Sequence, residues 1–251
     1  MKHKNSDKTI TCKNCNNSFE GNYCNQCGQS ADTQRLDFKF FIKNLRKHFL
    51  KYFHKGLFYS TSQLYTRPGH SIREYLEGRR VKHFEPLGLL ITYATLYGIL
   101  YHTFGLNLFS GMENDRISGT LPLKNISDWI ADHFALITFL AVPLYSIGSF
   151  ISFRKQGYNF YEHIYLNTFL ASQRLLIRIA TFPLLVVLDG TSDIFIFRDT
   201  LIMADILLMI WSYSQFFNKI GKIKTSLLTV LSYAIFFLMM LVIIYVLLAF
   251  N

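Results

Sequence analysis

Residues 86–109 read PLGLLITYATLYGILYHTFGLNLF, from Pro86 to Phe109, twenty-four residues without an Asp, Glu, Lys or Arg. The hydrocarbon core of a bilayer is ~30 Å thick, and a helix rising ~1.5 Å per residue crosses it in about 20 mostly apolar residues. This stretch is long enough to span, and it divides the chain. The residues before it are basic and polar; those after it are mostly apolar.

The division shows in the charge. The chain has 251 residues, is 51% hydrophobic and carries a formal charge of +10. Residues 1–85 hold sixteen Lys/Arg against seven Asp/Glu, and residues 86–251 hold ten against nine. A mean hydropathy of +0.21 is too apolar for an ordinary soluble domain. The basic front third, attached to a spanning helix, suits anionic lipid headgroups better than nucleic acid. The first thirty residues contain no apolar run of the kind a cleavable signal needs, so the N-terminus is expected to persist.

Five spans are expected, over about 86–109, 133–153, 164–188, 194–217 and 226–250. With the N-terminus inside, the inner segments hold twenty-one Lys/Arg and the outer segments two. That asymmetry orients the chain with its N-terminus cytosolic and its C-terminus outside. Trp129 and Trp211 are candidate interfacial anchors. The longest outer loop, Ser110 to Asp132, is too short for an enzyme domain. The fold class is therefore an all-α membrane protein, residues 86–251 forming the helical membrane domain.

All four cysteines lie in front, as Cys12-x2-Cys15 and Cys24-x2-Cys27. Two such knuckles bring four thiolates to the ~2.3 Å distance of a tetrahedral Zn²⁺ site. Residues 1–30 thus read as a zinc ribbon, with Gly28 turning the backbone so that its amide reaches a thiolate. A segment this short buries no core of its own; metal binding contributes roughly 10 kcal/mol or more in small zinc modules. Four thiolates close the coordination shell, so the zinc is structural and not catalytic. The alternative is a pair of disulfides in an exported tail, which the lysine-rich flanks and the missing signal disfavour.

Residues 31–85 read as basic helices lying beside the membrane. From Asp37 to Gly56, Phe38, Phe41, Ile42, Leu45, Phe49 and Tyr52 fill one face, while Lys39, Lys43, Arg46 and Lys47 fill the other. That is the pattern of a helix in the headgroup plane or packed on the protein's own surface. Asp37 suits its N-cap and Gly56 its left-handed end. Then comes TRPGHSIREYLEGRR over residues 66–80, with Pro68 placed for the first turn of a helix and Gly78 for its close. Arg67, Arg73, Arg79 and Arg80 are candidate contacts for a phosphate or carboxylate, or anchors of a juxtamembrane elbow.

Two CxxC knuckles, an aromatic-basic helix and TRPGHSIREYLEGRR running into Pro86 resemble the bacterial zinc-ribbon membrane-protein family named domain of unknown function 3667. The resemblance is most specific over residues 12–28 and 60–100, with a weaker echo at Phe160-Tyr161-Glu162-His163. It implies a zinc-ribbon, multi-span inner-membrane protein, and it assigns no activity or catalytic residue.

Inside the expected third and fourth spans lie Gln173, Arg174, Arg178, Arg198, Asp199 and Asp205. By helical rise, Arg174, Arg178 and Asp205 sit roughly 15, 21 and 18 Å deep. An antiparallel hairpin then brings Asp205 between the two arginines, and an ion pair with one or both is expected. This set either holds two helices in register or lines a polar cavity for an anion. Glu162 and His163, near Tyr158 and Tyr161, diverge by about 100° on a helix and read as a helix cap. No metalloprotease, nucleotide-loop or nucleophile-elbow motif is present. The reading is a non-enzymatic docking or assembly factor that recruits another protein through its ribbon. The alternative is a permease, transport subunit or lipid-handling protein using Arg174, Arg178 and Asp205, with a headgroup-modifying enzyme third.

Overall fold

A computed structural model describes residues 9–33, 35–37, 56–106, 129 and 132–249. The amphipathic helix expected before Gly56 and most of the loop before the second apolar segment lie outside them.

Two short antiparallel strands, β1 (Ile10–Thr11) and β2 (Ser18–Phe19), pair Ile10 with Phe19. The bundle comprises α1 (Leu57–Thr66), α2 (Pro68–Leu76), α3 (Pro86–Phe104), α4 (Phe134–Ser152), α5 (Phe160–Leu188), α6 (Asp193–Phe216) and α7 (Lys222–Ala249). α3 packs along α5, and α4 packs against both α5 and α7. α6 packs against α2 and α7. One apolar core joins them, from Leu64 and Ile72 through Leu89 and Tyr97 to Leu166, Phe169 and Phe216.

Local chemistry sets the boundaries. Pro68 and Pro86 each stand in a first turn, where a missing N–H is no loss. Asn159 and Glu162 form a reciprocal capping box at the start of α5. α3 ends at Phe104 and not near residue 109, because Gly105 turns left-handed at φ 59°. Gly56 stands at the start of α1 with φ 99°, and the helix it is expected to close lies outside the described residues.

Among the described residues, three helices are long and apolar enough to cross a membrane: Pro86–Phe104, Phe160–Leu188 and Lys222–Val246. The expected count of five is not reached on length and composition. Within α4 the described apolar stretch is Leu136–Ser152, and α6 carries Asp193, Arg198, Asp199 and Asp205. The last of the three has a mean hydropathy of 2.7 and only 11% of its most apolar window buried inside the protein. A helix apolar on every face and left uncovered needs lipid around it.

Two glycines let backbones touch. A Cβ on Gly148 of α4 would stand 2.5 Å from the Ser232 carbonyl oxygen of α7. A Cβ on Gly69 of α2 would fall on the Ser212 carbonyl and the Phe216 nitrogen of α6. Neither neighbour is a flexible side chain, so Gly69→Ala is expected to lower stability by about 1–3 kcal/mol. Gly98→Ala, in open space on α3, is expected to leave it unchanged or raise it. Thermal melts of the two variants in one detergent make the comparison.

Candidate functional site

The cysteine module is two copies of one turn. The Cys12 N–H bonds the Asn17 carbonyl and the Asn16 N–H bonds the Cys12 carbonyl, both at 2.9 Å. The Cys24 N–H bonds the Gln29 carbonyl and the Gly28 N–H the Cys24 carbonyl, both at 2.8 Å. Asn16 (φ 59°) and Gly28 (φ 74°) take the same left-handed place, which Asn tolerates and Gly prefers. The Gly28 amide therefore meets a carbonyl rather than the expected thiolate.

Among the described residues, Cys12, Cys15, Cys24 and Cys27 bring their Sγ atoms within 4.8 Å of one another. Cys12 and Cys27 stand 3.5 Å apart, Cys15 and Cys24 3.6 Å. A disulfide is ~2.05 Å long, so these are free thiols. A tetrahedron with ~2.3 Å metal–sulfur bonds has edges of about 3.8 Å, so the four sulfurs fit a thiophilic cation. Their electrostatics are unequal. Burial raises the Cys24 thiol, but the Cys27 and Gln26 amides, Cys15 and Asn17 outweigh it and bring its pKa to about 6. At Cys15 the Asn17 amide lowers the pKa, while burial and the three neighbouring thiols carry it up to about 12. Cys24 is thus the ready thiolate and Cys15 the thiol that needs a cation to ionise.

The module is tied to the bundle by residues that sequence reasoning missed. Gln29, buried, donates its Nε2 to the Gly78 carbonyl at 2.8 Å. Arg35 gives Nε and Nη2 to the two oxygens of Glu162 at 2.6 and 2.7 Å. Asn159 Nδ2 donates to the Leu36 carbonyl at 3.0 Å. These are single polar residues whose partners lie 49 to 127 positions away, so no local periodicity marks them. Glu162 and His163 separate as expected of adjacent helical residues. His163 Nδ1 shares a 2.9 Å hydrogen bond with Ser149, inside the bundle.

The four arginines of the elbow do not converge on one point. Arg67 clamps Glu74 with two hydrogen bonds, at 2.9 and 3.2 Å, and also bonds Gln63. The bonds to Glu74 push the Arg67 pKa above its ordinary value. Arg73 Nη1 donates to the carbonyls of Gln215 and Phe216 at 2.9 and 3.1 Å, closing the C-terminus of α6. Arg80 Nε donates to the Tyr75 carbonyl at 3.1 Å, and its guanidinium lies 5.3 Å over that ring. Arg79 is exposed. His83, beneath Tyr59 and Tyr75, is kept neutral, burial pushing its pKa down to about 4.

Deep in the bundle, Arg178 Nη2 donates to Asp205 Oδ2 at 2.6 Å, joining α5 to α6. Arg174 does not share that carboxylate; its guanidinium lies 4.3 Å over the Tyr145 ring of α4. Gln173 bridges α1 and α6, donating to the Leu64 carbonyl at 2.8 Å and accepting from Ser212 Oγ at 3.1 Å. Asn167 takes the Tyr213 hydroxyl proton at 2.8 Å and donates to Ser149 at 2.9 Å. A cavity of about 70 Å³ lies at the far end between Tyr97, Tyr101, Arg178, Asp189 and Arg198. It has room for a few waters, well short of the ~300 Å³ of a small-molecule pocket.

No curated protein and no solved structure matches the chain. Residues 55–98, from the turn before α1 to the middle of α3, match the model of the family described as Protein of unknown function (DUF3667), and over that stretch the resemblance carried by TRPGHSIREYLEGRR is shown.

Proposed function

We propose that this chain is a cytoplasmic-membrane docking or assembly factor whose zinc-loaded cysteine module faces the cytosol. In this reading α3 to α7 all cross the bilayer. α6 runs antiparallel to α5 and shares its partly buried ion pair, so lipid that surrounds one surrounds the other. A lone buried charge in hydrocarbon costs several kcal/mol, and the Arg178–Asp205 pair removes that cost. Exposed Arg79 and Lys82, just ahead of α3, meet anionic headgroups.

The observation that carries the reading is the packing of the described bundle. Arg178 is paired with Asp205, Arg174 is covered by the Tyr145 ring, and the far-end cavity is too small for a substrate. The chemistry that remains is at the four thiols, a closed shell suited to holding shape and not to activating water. A rigid module fastened to a membrane bundle presents a surface for another protein. The test is an affinity pull-down of the intact protein in mild detergent beside Cys24→Ser/Cys27→Ser. The wild type is expected to retain partners that the variant loses; an identical co-purifying set would remove the docking role.

A further inference from the structure

The polar fastenings of the cysteine module described above lie on the chain leaving its second knuckle. Gln29 stands two residues after Cys27, and its carbonyl accepts the Cys24 N–H at 2.8 Å. Its side chain, 6% exposed, donates to the Gly78 carbonyl and accepts from the Arg80 N–H at 3.4 Å. Six residues on, Arg35 grips Glu162 through two nitrogens and the Gly157 carbonyl through Nη2 at 2.8 Å. Leu36 is fully buried in the bundle core.

Glu162 has two tasks. Its Oε2 accepts the Asn159 N–H at 2.8 Å, while its own N–H bonds Asn159 Oδ1 at 2.9 Å, and these two bonds cap α5. Its side chain is 5% exposed, while that of Arg35 is 61% exposed. The buried carboxylate that caps α5 is thus neutralised by a guanidinium delivered from the tail of the metal module.

We propose that metal occupancy of the four-thiol site is relayed through residues 29–36 to the first turn of α5, so that losing the metal frees Arg35 from Glu162 and uncaps the helix. Among the described residues the module has little apolar core of its own. Its buried core is Cys12, Phe19 and Cys24, and its strands are two residues long. The loop closed by the Ala31 N–H to the Asn22 carbonyl at 2.9 Å and by the Tyr23–Ser30 bridge surrounds Cys24 and Cys27. Without a cation that loop opens, Gln29 loses its fixed geometry, and Arg35 is left on a slack tether. Glu162, deprived of its guanidinium, regains water by opening the first turn of α5. The relay needs no docking partner, so it stands or falls apart from the proposed function.

Hydrogen exchange on the full chain in mild detergent, loaded with one equivalent of zinc and then treated with a chelator, tests the relay. Chelation is expected to speed exchange about tenfold or more at residues 10–36 and also at 160–164, with 205–215 unchanged. Gln29→Ala, with its zinc content intact, is expected to show fast exchange at 30–36 and 160–164 while 10–27 stays protected. Arg35→Ala is expected to show fast exchange at 160–164 with or without chelator. Chelation that opens 10–28 but leaves 160–164 protected would overturn the relay, as would a chain whose exchange ignores zinc. A zinc-bound Gln29→Ala protein that still protects 160–164 would overturn it equally.

Discussion

Stripping the metal from the protein is expected to melt residues 9–31 while α3 to α7 stay helical. The asymmetry comes from what each part buries. The bundle has a continuous apolar core; the described residues of the cysteine module bury three apolar side chains in a cluster of their own, two of them cysteines. Structural zinc contributes roughly 10 kcal/mol or more to modules of this kind, more than so small a core replaces. Circular dichroism should therefore change little on chelation, while the resonances or exchange protection of residues 9–31 vanish. Cys24→Ser is expected to behave like the chelated protein at every zinc concentration. The affinity should fall as pH is lowered. At pH 7 the metal-free site holds a thiolate at Cys24 and a thiol at Cys15, so binding must expel protons that acid returns. An intact module after exhaustive chelation would contradict this.

Asp205→Ala is expected to be the most damaging single change inside the bundle, at about 3–5 kcal/mol, because it leaves Arg178 half-buried without its carboxylate. Arg178→Leu/Asp205→Leu should recover most of that loss, since removing both charges removes the desolvation problem with them. Arg178→Asp/Asp205→Arg should also restore assembly. Thermal aggregation in detergent ranks the three. If the pair only holds register, the swapped protein keeps its partners in a pull-down. A swapped protein that assembles but loses its partners would mean that the pair does more than hold register. If Asp205→Ala melts like wild type, the pair is not a structural tie.

What could be read from the sequence is what repeats or clusters. Twenty-four uncharged residues announce α3, though not its end at Phe104, because apolar composition continues past Gly105. Four cysteines within sixteen residues announce a metal site, and the sulfurs converge. The Arg178–Asp205 pair is legible from depth along two antiparallel helices. The choice between Arg174 and Arg178 is not, because Tyr145 on a third helix decides it. α1 escapes sequence reading because LFYSTSQLYT is rich in Ser, Thr and Tyr, which favour no one structure strongly. In sequence the arginines of the elbow look like free cations. Arg67 has its acid seven residues away, on the next helix, and Arg73 finds carbonyls on α6. The fastening through Gln29 and Arg35 has no local signature at all, since each contact is made by one residue to a distant one.

The proposed topology has five crossings, which put the cysteine module and the far C-terminus on opposite sides of the membrane. Fusing alkaline phosphatase, and separately green fluorescent protein, after Asn251 tests that directly. An active phosphatase and a dark fluorescent protein are the expected pair of results. A bright fluorescent protein with an inactive phosphatase would mean an even number of crossings or an inverted chain, and would contradict the proposed topology.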